Sequence, residues 1–87
     1  MIGPTTLIHG RVLDARGRAL AGARISWAEG PVPLPDVALL SDAQGRFTLA
    51  APAPGRYVLR ADSDAGRASA TVHAAGAPLT LELTVGR

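Results

Sequence analysis

A short frame, Asp-Ala-x-Gly-Arg, is repeated in this chain and constrains its fold more than any other feature. It occurs at residues 14–18 and 42–46, and again, one residue shorter, at 64–67. An Asp that opens a turn accepts hydrogen bonds from backbone N–H groups two or three residues on, and a Gly near the end of the turn takes a positive φ without steric cost. Three such reversals in 87 residues predict a small all-β domain, with Gly17 and Gly45 at positive φ.

The segments between these frames alternate between apolar and polar residues, as half-buried strands do. In the first segment Ile8, Gly10 and Val12 share one face, and no part of the chain has a helical period. The pattern predicts one domain over residues 1–87, an all-β, seven-stranded antiparallel β-sandwich. Phe47 and Tyr57 are expected in its core. The predicted strands are 6–14, 24–27, 37–41, 46–49, 57–62, 67–74 and 79–85.

A proline-rich segment, Pro31-Val32-Pro33-Leu34-Pro35, interrupts the strand pattern. Proline at every second position removes backbone donors, so this segment is expected to be an extended loop and not a central strand. Val32 and Leu34 would be displayed on it, and Trp27 lies close to where it begins. These three residues form the candidate partner-binding loop, and a rigid spacer that contacts nothing is the alternative interpretation.

Composition and charge exclude several classes of function. The nine cationic side chains are all Arg, they are scattered along the chain, and the net charge of +2 is low for a nucleic-acid-binding protein. No apolar run has the length of a membrane span. Residues 1–4 lack the pattern of a signal peptide, so either a complete cytosolic protein or one domain of a longer exported protein is expected. Cys is absent, so no redox compartment is indicated.

Three local patterns resemble those of one known family. They are Ile8-x-Gly10-x-Val12-x-Asp14 with its turn through Ile25, then Ser41-Asp42-x-x-Gly45-x-Phe47-x-Leu49, and Pro54-Gly55-x-Tyr57-x-Leu59. In this order and spacing they resemble the carboxypeptidase regulatory-like domain. The resemblance implies a transthyretin-like Greek-key sandwich used as an accessory domain of peptidases, receptors, adhesins and surface proteins, with no shared catalytic residues. It also implies an extracellular, cell-surface or secretion-associated setting.

Several catalytic and metal-binding alternatives have plainer interpretations. The 5-hydroxyisourate hydrolases share this fold and a His-x-Leu-Asp strand, but His9 precedes Asp14 by five residues and the chain ends without the tail of that active site. His9 and His73 supply too few ligands for zinc. The segment from Asp62 to Gly66 resembles the start of a calcium loop but lacks the distant Glu. No Cys and no Gly-x-Ser-x-Gly motif supports nucleophilic catalysis.

The sequence therefore predicts a non-enzymatic accessory, adaptor or structural module that contacts another protein or a neighbouring domain. A carbohydrate-binding module with Trp27 at its site is the alternative, and a small hydrolase of the isourate type is a third. No catalytic residue, metal or cofactor is expected, and no nucleic acid. Self-association through an edge strand is a further expectation.

Overall fold

The computed structural model describes residues 5–34 and 38–86, and the secondary structure of these residues consists of strands and turns. None of the described residues forms a helix long and apolar enough to cross a membrane. The strands are β1 Thr6–Leu13, β2 Arg24–Glu29, β3 Leu39–Leu40, β4 Arg46–Ala51, β5 Gly55–Ser63, β6 Gly66–Ala74 and β7 Leu79–Thr84. The third strand is shorter than the predicted 37–41, and Val37 lies outside the described residues.

The seven strands form two sheets, one with the order β4-β1-β7 and the other with the order β3-β2-β5-β6. The predicted seven-stranded sandwich is confirmed. The pairing of β1 with β7 is parallel, whereas the sequence led us to expect antiparallel strands throughout. Parallel partners require a long connection, and here five strands separate the two along the chain. Alternation within each strand carries no information about such a distant pairing.

The core lies between the two sheets and is built from the inward-facing side chains of their strands. One cluster surrounds Phe47 at the end of the sandwich where the first two Asp frames lie, and the other surrounds Tyr57 towards the opposite end. Phe47 is 5% exposed and Tyr57 is fully buried, which confirms both predicted core positions. The Tyr57 hydroxyl donates to the Ala53 carbonyl at 2.7 Å and accepts from the Ala53 N–H at 3.1 Å. No described buried side chain has an unpaired polar atom.

The first two Asp frames fold into the same hydrogen-bonded turn. Asp14 Oδ1 accepts from the N–H groups of Arg16 and Arg18 at 2.8 and 2.9 Å. Asp42 Oδ1 accepts from the N–H groups two and four residues on, at 2.9 and 2.8 Å. Gly17 and Gly45 have φ of 83° and 76°, as predicted. Both turns carry the chain from one sheet to the other, so they link layers and do not join paired strands.

The third copy of the frame folds differently, because it joins the paired strands β5 and β6. Ser63 and Gly66 are cross-strand partners, which leaves Asp64 and Ala65 as a two-residue hairpin loop. Ser63 Oγ accepts from the Ala65 N–H at 3.1 Å, so Ser63 has the role that the Asp has in the longer frames. The shorter copy is therefore a hairpin turn within one sheet, whereas the two longer copies lie between strands of different sheets.

Candidate functional site

The candidate partner-binding loop is packed against the domain more closely than the sequence indicated. Leu34 and Trp27 both contact the core cluster around Tyr57, and the rings of Trp27 and Tyr57 lie 4.8 Å apart at 45°. A Cβ on Gly30 would lie 2.5 Å from a Leu34 methyl carbon. Val32 is half-buried. Leu34 is therefore less exposed than the sequence indicated, because its side chain packs against the core at this end of the sandwich, and partner binding by this loop stays a prediction.

The packing of Trp27 also bears on carbohydrate binding. Sugars stack on exposed aromatic faces, and the Trp27 ring is half-buried, with part of its surface covered by Tyr57. It faces inward from β2, so it does not present a flat platform to solvent.

The metal-binding candidates are separated from one another in the fold. His9 lies on the outer face of the three-stranded sheet and His73 on the outer face of the four-stranded sheet, so the two do not meet. The Asp62 carboxylate contacts Arg60 Nε at 3.1 Å and Arg67 Nε at 3.0 Å. Within residues 5–34 and 38–86 no group of three or more His, Cys, Asp or Glu side chains is placed to hold a metal ion.

The four serines of the chain have structural surroundings. Ser41 is buried and its hydroxyl joins two segments, since it donates to the Leu20 carbonyl at 2.7 Å and accepts from the Ala23 N–H at 3.0 Å. Ser63 forms part of the β5–β6 hairpin. Ser26 and Ser69 lie on the outer face of the four-stranded sheet, and each has Arg60 as its cross-strand partner.

A concave site is present elsewhere, on the outer face of the three-stranded sheet. We call it the outer-face groove, and it has a volume of about 280 Å³. Two rows of side chains line it, and each row consists of register partners on β4, β1 and β7. The rows are Thr48–His9–Thr80 and Arg46–Arg11–Glu82. Its floor is formed by Gly10, Phe47 and Leu81.

Charge is distributed unevenly across this groove. Arg11 and Arg46 are directly opposite each other in the antiparallel pairing of β1 with β4, and both are exposed. Arg11 Nε donates to the Gln44 carbonyl oxygen at 3.2 Å, which directs its side chain towards the second Asp frame. Among the described residues, neither guanidinium forms an ion pair, although Glu82 is the register neighbour of Arg11 on the other side.

The remaining polar groups of the groove form few contacts with one another. The hydroxyl of Thr48 lies 3.4 Å from Nδ1 of His9, at the outer limit of a hydrogen bond. No described carboxylate lies within ion-pair distance of His9. A general base held by an acidic partner is therefore missing from the described part of this groove, whereas two guanidinium groups are available to an external anion.

The groove was not predicted from the sequence, although its parts were visible there. His9 and Arg11 lie on the face of β1 opposite to Ile8, Gly10 and Val12, as the alternation in the sequence indicates. What the sequence lacks is the strand order β4-β1-β7, which places two Arg residues 35 positions apart side by side. Arg11, Arg46 and Glu82 each lie at an outward position of their own strand. With the strand pairing known, this pattern would have predicted the groove.

Comparison with known proteins agrees with this architecture. The sequence matches the carboxypeptidase regulatory-like domain over residues 7–86. An uncharacterized protein of Mycolicibacterium smegmatis is 38% identical over 72 residues, which are 83% of this chain and 78% of that protein.

Two solved structures share the fold. A DUF3823 family protein from Parabacteroides merdae superposes with a TM-score of 0.71 and 20% identity over 97% of this chain, which spans about half (47%) of that longer structure. The 5-hydroxyisourate hydrolase of Klebsiella pneumoniae gives a TM-score of 0.58 and 24% identity, covering all of this chain and 91% of the enzyme. At these identities the two structures show a common fold alone.

Two sheets in this order, with the first and last strands paired in parallel, define a transthyretin-like β-sandwich. Within that class, the chain belongs to the carboxypeptidase regulatory-like domain family. Its described residues are consistent with a non-enzymatic module of that family.

Proposed function

We propose that this domain is a non-enzymatic accessory module that binds another protein, or a neighbouring domain, through the outer-face groove. The observation that supports this proposal is the adjacent pair Arg11 and Arg46, which lies on a concave surface and has no described acidic partner within ion-pair distance. Exposed Arg residues are common in binding sites because the planar guanidinium makes several directed hydrogen bonds at once.

The same surface gives little support to catalysis. A hydrolase needs a nucleophile or an activated water held by an acid–base pair, and His9 contacts only Thr48 at the limit of hydrogen bonding. The candidate loop around Leu34 also gives less support to docking than the groove does, because its side chain is already used in the core.

Site-specific photo-crosslinking tests this proposal. A photoreactive amino acid is placed at Thr80 in the groove. In a second variant it is placed at Ser69 on the opposite sheet, which is also an exposed position. We expect the Thr80 variant to form a defined covalent adduct with a protein of the source organism, and we expect Arg11→Gln/Arg46→Gln to remove that adduct. Equal adducts from the two positions, or an adduct that persists in the double variant, would contradict docking in the groove.

The edge strands offer a different contact, which a measurement of the mass in solution tests separately. Among the described strands β6 has a hydrogen-bonded partner on one side only, and it is nine residues long, with outward side chains that alternate with Ala and Val. If the domain instead pairs with a second copy along this edge, its mass in solution doubles and a proline at Thr71 restores the monomer.

A further inference from the structure

The two outer sheet faces both carry Arg residues, but these residues have different partners. On the four-stranded sheet, Arg60 and Arg67 contact the same Asp62 carboxylate at 3.1 and 3.0 Å, and Arg56 lies 3.8 Å from Glu29. These guanidinium groups already share acidic side chains of the domain. On the three-stranded sheet, Arg11 and Arg46 have no such partner among the described residues.

Like charges directly opposite each other on neighbouring strands destabilise a sheet. Arg11 and Arg46 are such a pair: Arg11 Nε donates to the neutral Gln44 carbonyl, and the acidic register neighbour Glu82 forms no ion pair with either guanidinium. A carboxylate placed between the two guanidinium groups would remove the repulsion and accept directed hydrogen bonds from both. The arrangement therefore favours an anionic occupant over a neutral one.

Glu82 restricts what that anion can be. It is the register neighbour of Arg11 on the β7 side of the groove, so the negative charge of the occupant must lie over β1 and β4. A polyanion with phosphates at regular spacing would place further charges near Glu82, which a single carboxylate or a short acidic pair avoids. This asymmetry favours an acidic protein segment over nucleic acid.

An apolar contact lies on the same face beyond the groove. Leu7 is 44% exposed, and it points outward from β1 beside its register partner Ala50. Leu7 precedes Arg11 by four residues, which is about 13 Å along a strand. An extended segment lying along β1 would therefore cover Leu7 with an apolar side chain and reach the two Arg residues about four residues later.

We propose that the outer-face groove binds an extended protein segment that carries an acidic residue about four positions from an apolar one. This inference rests on the proposed function and specifies the chemistry of its partner. The carboxylate lies between Arg11 and Arg46, the hydroxyls of Thr48 and Thr80 contact the backbone of the segment, and the apolar side chain covers Leu7.

A defined probe peptide tests this inference. The probe is acetyl-Leu-Ser-Thr-Ser-Glu-Glu-amide, and a control peptide has Gln in place of both Glu residues. Binding is followed by amide chemical shifts of the isotopically labelled domain at about 0.15 M salt. We expect saturable shifts confined to β1, β4 and β7 with the acidic probe, and affinity lower by roughly tenfold or more for the Gln peptide.

Matched variants separate specific binding from general attraction. Arg11→Gln/Arg46→Gln is expected to lower the affinity for the probe by roughly tenfold or more. Arg16→Gln/Arg24→Gln makes the same change of net charge at exposed sites and is expected to leave that affinity within about twofold. Leu7→Ser should weaken binding of the probe, and Leu40→Ser, which alters the other large exposed apolar side chain among the described residues, should not.

Several outcomes would overturn the inference. They are equal binding of the acidic and Gln peptides, equal losses in the two double Arg variants, or an oligothymidylate that binds the groove as tightly as the probe. Absence of probe binding, together with a groove-specific crosslink at Thr80, would reject the acidic partner and leave the proposed function standing. Absence of both would reject both proposals.

Discussion

Phe47 packs over Gly10, so the effect of Gly10→Ala on stability should depend on the residue at position 47. Gly10 and Phe47 are register partners on β1 and β4, and a Cβ built on Gly10 would overlap the Cζ, Cε1 and Cε2 atoms of the Phe47 ring. The ring thus occupies the space where a side chain at position 10 would lie. Gly10→Ala should therefore destabilise the domain, although Ala is ordinarily the better strand residue.

The magnitude follows from two opposing contributions. Overpacking a tight core costs about 1–3 kcal/mol, and replacing Gly by Ala at a compatible backbone position stabilises by about 0.4–1 kcal/mol. Gly10 has no positive φ, so its backbone is compatible with Ala. We expect a net loss of about 1–2 kcal/mol in the free energy of unfolding.

The Phe47→Leu background reverses the result. Leu lacks the three ring atoms that the new Cβ would overlap, so only the conformational contribution is left, and Gly10→Ala should become neutral or stabilising by up to about 1 kcal/mol. Urea unfolding of the two single variants, the double variant and the parent, followed by far-UV circular dichroism, completes the cycle. The same loss from Gly10→Ala in both backgrounds would refute the packing argument. Phe47→Ala is expected to cost about 3–5 kcal/mol, and a folded variant with unchanged Tm would contradict its place in the core.

The remaining predictions concern the turns, the loop and metal ions. Gly45→Ala should lower Tm more than Gly17→Ala, because both glycines have positive φ but only at Gly45 would a Cβ meet backbone, 2.5 Å from the Val12 carbonyl oxygen; equal losses would contradict this reason. The hydrogen bond from the Arg18 N–H holds the pKa of Asp14 below its ordinary value, so its stabilisation is present at neutral pH and is lost as pH falls below about 4. Asp14→Asn should therefore flatten the acid limb of a Tm–pH curve, and an unchanged limb would refute this assignment. Leu34→Ser should lower Tm more than Val32→Ser, because Leu34 packs against the core, and an equal response would place Leu34 outside it. EDTA, zinc and calcium should each leave Tm unchanged, and a shift of several degrees at micromolar zinc or calcium would reveal a site.

The elements that could be predicted from the sequence are those determined by neighbouring residues. Alternation, and a short apolar run at β3, located the strands, and the Asp frames placed Gly17 and Gly45 at positive φ. Phe47 and Tyr57 were assigned to the core from the phase of their own strands. In each case the physical cause lies within a few residues of its effect, because turn chemistry and the strand period both act over short stretches of sequence.

The features that escaped prediction depend on contacts between distant segments. The parallel pairing of β1 with β7 joins the two ends of the chain, and the groove requires β1 to lie between β4 and β7. Leu34 gave no sign of burial because its neighbours are prolines, and a proline-rich loop carries no period from which an inward face can be read. Its burial depends on the space above Gly30, where a larger residue would exclude the Leu34 methyl.

The repeated frame and the groove are connected through one turn. Asp42 fixes the backbone of Gln44 and Gly45, because its Oδ1 accepts from the Gln44 N–H and its carbonyl accepts from the Gly45 N–H, each at 2.9 Å. The Gly45 carbonyl in turn accepts from the Val12 N–H at 2.7 Å, which places the whole turn against β1. The Gln44 carbonyl is then within reach of Arg11 Nε, one residue before Val12 on the opposite face. The hydrogen bonds that carry the chain between the two sheets thus also orient one of the two Arg residues of the groove. For this reason a change at Gly45 is expected to reach the groove through the backbone, without contact between its side chain and any bound segment.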